Sequence, residues 1–163
     1  MDNIKKSISV DWKFKSVVIL KFNYTLLTKP FKQVHGCSIF NISPKLAFDV
    51  GANEVHITIS IVGKIRETDE IFIDASTLFI YDVRNLNDLV SVNKDKTIVS
   101  FKDKGVEKQI VPLMIGVSYS TMRGIMIAKG GGTIMQVELL PIVNPQQFHK
   151  DFDIVDGHVK EAE

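Results

Sequence analysis

Few residues in this chain are spaced for chemistry. His35 and Cys37 stand two apart and are the nearest approach to a base beside a nucleophile. A thiol becomes reactive as its thiolate, which a neighbouring base can generate, and further partners can come from distant sequence. A Cys/His enzyme is therefore one reading; a buried cysteine flanked by surface histidines is the plainer one. Zinc takes about four ligands, and neither His56 nor His149 and His158 supplies a second close pair. Glu67, Asp69 and Glu70 crowd a turn, whereas glycosidase-type chemistry needs two carboxylates opposed across a cleft in different environments. Asp74 and Asp82 fall inside a strand pattern, where aspartate is disfavoured; they read either as edge-protecting charges or as marks of a docking face. Gly130-Gly131-Gly132 invites comparison with a phosphate loop, which places glycines ahead of a helix. Here they come after an apolar run that ends at Lys129, so they read as a helix stop. No catalytic residue, metal ligand or cofactor is expected.

The elements that hold these residues are mostly strands. Val10 to Thr28 has the β-branched, alternating content of one long strand or a bent pair. Gly36 to Phe48 is a second extended piece, interrupted at Ser43-Pro44, and residues 49–53 form a turn cluster. From Glu54 to Arg66 apolar residues alternate with His56, Thr58, Ser60, Lys64 and Arg66, the period of a half-buried strand. Four polar residues then lead to Ile71–Val83, again extended, which makes an antiparallel hairpin. Residues 85–90 read as a short helix or turn, and Thr97 to Lys102 as a minor strand. From about Glu107, Ile110, Leu113, Met114, Val117, Thr121, Ile125 and Met126 recur at helical spacing, with Pro112 in the first turn and Gly130 as the stop. This helix has so little polar surface that a second subunit is expected to cover it. Thr133 to Leu140 reads as a strand, and Gln146 to Val155 as a final surface helix.

The chain has 163 residues, enough for one domain with a substantial core. Its formal net charge of +1, with lysines spread rather than clustered, argues against a nucleic-acid surface. A single cysteine excludes an internal disulfide framework and fits a reducing compartment. No uninterrupted apolar run reaches the length of a membrane span, and cytoplasmic localisation is the expectation. Residues 1–155 are read as one domain and 156–163 as a flexible tail.

Three stretches carry a family resemblance. One is the hairpin from Glu54-Val55-His56-Ile57 through Glu67-Thr68-Asp69-Glu70 to Ile71-Phe72-Ile73. Another is Tyr119 and Arg123 on the helix. The third is Gly132-Thr133-Ile134-Met135-Gln136-Val137-Glu138-Leu139-Leu140-Pro141 followed by Asn144. In this order they resemble the SecB family of protein-export chaperones. Departures stand beside the likeness: the chain is near neutral where export members are acidic, Tyr119 and Arg123 are more widely spaced, and Ser118 replaces a proline.

The resemblance implies an α+β fold. A four-stranded antiparallel sheet would carry a long C-terminal-half helix on one face, with dimers or tetramers formed through helix and strand edges. It implies ATP-independent binding of unfolded precursor polypeptides and delivery to the Sec translocase motor. Some members of the wider family serve toxin–antitoxin systems, so an adaptor dedicated to one partner such as an antitoxin is the alternative, and a non-catalytic oligomerisation module is another. On this reading Phe72, Leu78, Ile80, Phe148 and Phe152 would contact clients. Ile110, Met114, Val117, Thr121 and Ile125 would hold the oligomer, and Glu67, Asp69 and Glu70 would dock a basic partner.

Overall fold

The computed structural model describes residues 10–25, 38–93, 99–131 and 140–148. Four long strands, β1 (Trp12–Tyr24), β2 (Ser38–Asp49), β3 (Glu54–Ile65) and β4 (Ile71–Val83), form one antiparallel sheet in the order β1-β4-β3-β2. Two successive hairpins with β1 returned beside β4 make a Greek-key order. A short helix α1 (Leu86–Leu89) and a ribbon of β5 (Val90–Val92) and β6 (Val99–Phe101) lead into the long helix α2 (Lys104–Lys129). A single turn of helix, α3 (Pro145–Phe148), follows. His35, Cys37, His149, His158, Phe152 and the strand expected from Thr133 lie outside the described residues, apart from Leu140 at that strand's end.

The alternation read in β3 decides the core. Val55, Ile57, Ile59, Ile61, Gly63 and Ile65 turn to one face and are buried, while the residues between them are half-buried on the other. Asn53 and Asp69 take left-handed backbone (φ 57° and 55°) in the turns that flank β3, a region that Asn and Asp tolerate better than other non-glycine residues. β2 runs unbroken through Ser43 and Pro44, contrary to the expected interruption. It is an edge strand, where a residue without an N–H need leave no ladder bond unmade. Of the two readings of the first segment, one long strand or a bent pair, a single strand forms, and its register on β4 slips at two bulges, Phe14/Ser16 and Ile19/Lys21.

A third irregularity sits in the middle of the hairpin. Gly63 pairs with Ile73 and Lys64 with Ile71, which leaves Phe72 as the extra residue of a bulge. The bulge turns Phe72 back to the same face as Ile73, and both are fully buried. Phe72 meets Phe40 of β2 edge-on at 5.7 Å between ring centroids. A Cβ at position 63 would stand 2.5 Å from Ile73 Cγ2, 2.7 Å from Phe72 Cζ and 3.0 Å from Phe40 Cε1, so only glycine leaves room for the two rings. Phe72 is thus corrected from a client contact to a core residue: the bulge, invisible in the alternation, takes its ring out of reach.

Helix α2 lies over this face. Asp103 caps it by accepting from the Gly105 N–H at 2.7 Å, Glu107 lies in its first turn and Lys129 in its last, each matching the helix dipole. Because the helix starts at Lys104, Pro112 is well inside it rather than in its first turn, and the Lys108 carbonyl loses its usual donor. Gly130 ends it, its N–H bonding to the Met126 carbonyl at 2.8 Å. Val106, Ile110, Met114, Ser118, Met122 and Met126 are all buried, one every four residues. Such a row is inclined to the helix axis and can therefore follow the twist of a sheet. Tyr81 donates to the Met114 carbonyl at 3.0 Å and lies 2.7 Å from Ser118 Oγ, and Thr77 donates to Met122 Sδ at 3.1 Å. Burial pushes the Tyr81 hydroxyl up, although its bond to Ser118 opposes this. Ile110 and Met114, expected at a subunit seam, instead fasten α2 to its own sheet.

The other face of the sheet is held by charge. Lys13 pairs with Asp82 at 3.3 Å, Lys21 pairs with Asp74, and Lys15 reaches past β4 to Glu54 while lying 3.5 Å from Asp82. Asp74 and Asp82 therefore tie the edge strand β1 to the sheet. Glu54 also accepts from His56 Nε2 at 2.8 Å.

Two predictions follow from this core and this charged face. Gly63→Ala should cost about 1–3 kcal/mol through overpacking, read as a lower urea midpoint; an unchanged midpoint would mean that Phe72 is not seated over the glycine. The His56 bond first, and Lys15 second, hold the Glu54 carboxyl below its ordinary value, against the opposing cost of burial. A carboxyl more acidic in the folded than the unfolded state lends stability that is full above the unfolded value and is lost as pH falls through the folded one. The thermal midpoint should therefore fall on acidification below about 4.5, and Glu54→Gln should flatten that limb; an acid limb unchanged in the variant removes Glu54 as its source.

Candidate functional site

The outward side of α2 carries a groove, and the returning chain after the glycine turn builds its second wall. Tyr119 fixes that return by donating to the Pro141 carbonyl at 2.7 Å. Pro145 then settles over Gly116, where a Cβ would come within 3.1 Å of Pro145 Cγ. Asn144 Oδ1 accepts from the Gln146 N–H at 3.0 Å and starts α3. Leu140 is buried, while Ile142 is 87% exposed. Between helix and return lies a space of about 480 Å³, lined chiefly by Leu113, Val117, Ile142, Val143 and Pro145. Leu113 and Val117 are 58% and 42% exposed, unusual values for large aliphatic residues on a core helix.

Among the described residues one charged side chain lines this groove, Arg123. Its Nε is shut off from solvent and has no hydrogen-bond partner among the described residues. Its cation lies near Tyr119, whose hydroxyl is pushed up by burial and partly drawn back by the guanidinium. Thr121, also in the lining, already donates to the Val117 carbonyl at 2.9 Å. The chemistry on offer is an apolar trough with one cation in its wall. Arg123 stands out in the sequence as one of few polar residues on the helix and as part of the family resemblance. The sequence does not show that it lines a groove, because the second wall depends on where the chain returns.

The remaining expected site residues are scattered. Leu78 and Ile80 are half-buried on the charged face of the sheet, opposite the core side. Phe148 ends α3 on the return segment. Val117 is exposed and Thr121 and Ile125 are half-buried along α2. Glu67 and Asp69 are exposed in the β3–β4 turn, with Glu70 half-buried beside them. The structure thus brings Val117 and Thr121 together in the groove and leaves Leu78, Ile80 and the turn acids on other surfaces.

Two other surfaces are notable. A polar cleft of about 430 Å³ opens at the end of the sheet around Trp12, Asn53 and Asn85, but its charges pair internally, Lys13 with Asp82 and Arg84 with Asp11. Strand β1 leaves Phe14, Val17, Val18, Ile19 and Leu20 each at least 40% exposed. Register places Val17 and Ile19 on the helix side and Val18 on the charged side, so the edge strand is apolar on both faces. Among the described residues no cluster of three or more metal-ligating side chains occurs. Helix α2 is long and apolar enough to cross a membrane by length and composition, but half of that stretch is buried within the fold.

No family model and no curated protein matches this sequence. A solved structure does match in fold: the SecB-like chaperone Rv1957 of Mycobacterium tuberculosis, in complex with a ChAD peptide from the Rv1956 HigA1 antitoxin. It superposes with a TM-score of 0.52 over 82% of this chain and 86% of its own, at 10% sequence identity. Four antiparallel strands under a long helix, superposing over most of both chains, give this chain the fold of a SecB-like chaperone.

Proposed function

We propose that this protein is an ATP-independent holdase that binds unfolded polypeptides in extended form. The observation that carries this reading is the apolar groove on α2, where Leu113, Val117 and Ile142 face solvent instead of a core. A shallow apolar trough with few polar groups favours many sequences weakly and discriminates little by hydrogen bonding. Capture of the unfolded chain draws it away from folding and aggregation by mass action. Leu78 and Ile80 on the open sheet face, together with Phe148 and Phe152, would extend the contact for longer clients. Assembly of two or more copies through the β1 edge, which leaves the Val117 and Thr121 side of α2 open, would multiply the grooves and raise affinity through effective concentration.

In its export form the reading ends with delivery of precursors to the Sec translocase motor, for which Glu67, Asp69 and Glu70 are the docking contacts. A second form, an adaptor dedicated to one partner such as an antitoxin, is favoured by the antitoxin peptide held by the fold neighbour. In either form no chemical step is assigned to the chain.

The test is suppression of aggregation of several unrelated denatured proteins at equimolar chain, without nucleotide, with the mass of the complex read by light scattering. The holdase predicts protection of most clients and a complex heavier than the free assembly. Protection of one partner alone selects the adaptor, and no complex with any client overturns both. Leu113→Asp and Ile142→Asp should each weaken client binding about tenfold or more, the scale of one buried aliphatic side chain, with an unchanged circular dichroism spectrum. Wild-type protection by both variants would remove the groove from the mechanism.

A further inference from the structure

The lining of the α2 groove is not electrically neutral. Among the described residues its apolar walls hold one charged group, Arg123, and no acidic side chain. On the sheet face Lys13, Lys15 and Lys21 have carboxylate partners. Among the described residues Arg123 has no such partner, and its Nε is a buried donor without an acceptor there. Arg123 as a whole is only half-buried and belongs to the groove wall, so the guanidinium is reachable from the trough. Guanidinium charge is delocalised over three nitrogens and suits a carboxylate in paired geometry. In a low-dielectric trough such a contact is stronger than at an open surface.

We infer that the α2 groove selects extended apolar segments that carry a carboxylate, an Asp or Glu side chain placed to meet Arg123. The occupant is a partner polypeptide of this chemistry, and the inference rests on the groove being the client site. Apolar side chains would lie along Leu113, Val117 and Ile142 while the acid engages the guanidinium. A basic residue at the same place would face Arg123 across apolar walls and be rejected, which converts a permissive groove into one with a charge rule. The neighbouring Tyr119 hydroxyl is already engaged with Pro141, so it holds the wall in place and is not needed for the carboxylate.

The experiment uses the full chain and three fluorescent peptides of one apolar sequence with Glu, Gln or Lys at a single central position, titrated by anisotropy. The Glu peptide should bind about tenfold more tightly than the Gln peptide, the scale of one charge-assisted bond, and the Lys peptide most weakly. The Glu preference should shrink as salt screens it. In Arg123→Gln the Glu and Gln peptides should bind alike, and Arg123→Lys should restore part of the difference. Equal binding of Glu and Gln peptides to the wild-type chain overturns the inference even if the variants misfold, and leaves the groove as a neutral client site. A Glu preference that survives in Arg123→Gln also overturns it. Failure of all three peptides to bind overturns the client site itself. If a second copy fills the groove, peptide affinity falls as protein concentration rises and mass increases, and the assignment to a client is overturned.

Discussion

The closeness of Gly63 to Phe72, Ile73 and Phe40 fixes how the rest of the molecule is put together. The bulge that turns Phe72 inward brings a second ring onto a face that strict alternation would have left with one aliphatic residue. That ring fills the space between β2 and β4, and glycine between them is what lets the two aromatics meet. The result is a nearly continuous apolar plane from Phe40 to Tyr81. Helix α2 needs such a plane, because its own buried row includes three methionines, whose unbranched side chains adapt to what lies beneath them. The Tyr81 and Thr77 hydroxyls then pin that adaptable row at two points.

The groove is a by-product of the same arrangement. Once one row of α2 has been committed to the sheet, its opposite side has to face something else. Tyr119 reaches over to the Pro141 carbonyl and Gly116 admits Pro145, so the returning chain covers only part of that side. Leu113, Val117 and Ile142 remain as apolar surface with no partner in the described chain. The site depends on the stop at Gly130 as much as on the helix, since the stop allows the chain to return alongside.

Much of this was legible in the sequence, for identifiable reasons. The hairpin was, because alternation over β3 is a direct record of one buried face. The periodicity of α2 and its glycine stop were too, because helical spacing and Gly130 are local signals. The inward turn of Phe72 was not, since a bulge breaks the parity that alternation relies on and leaves no composition mark. The roles of Ile110 and Met114 were misjudged because apolar periodicity tells that a side is buried without telling what buries it. Pro112 was misplaced because the Asp103 cap lies ahead of the apolar repeat and so escapes a reading that starts from it. The groove was beyond reach of sequence alone, as its walls come from segments brought together by the fold. The charged face was half visible: Asp74 and Asp82 stood out as unusual in a strand, but their lysine partners sit on β1, far away in the chain.

The two edges of the sheet are unequal, and that limits how copies can grow onto one another. β2 carries Pro44 in mid-strand, a position with no N–H to offer a newcomer. β1 has an unbroken stretch from Ser16 to Ile19 between its bulges, apolar on both sides. If two copies join edge to edge, β1 is consumed in the junction and both outer borders become the proline-bearing strand. Such a junction terminates itself. The sheet can thus close into a pair but has no ready route to a filament.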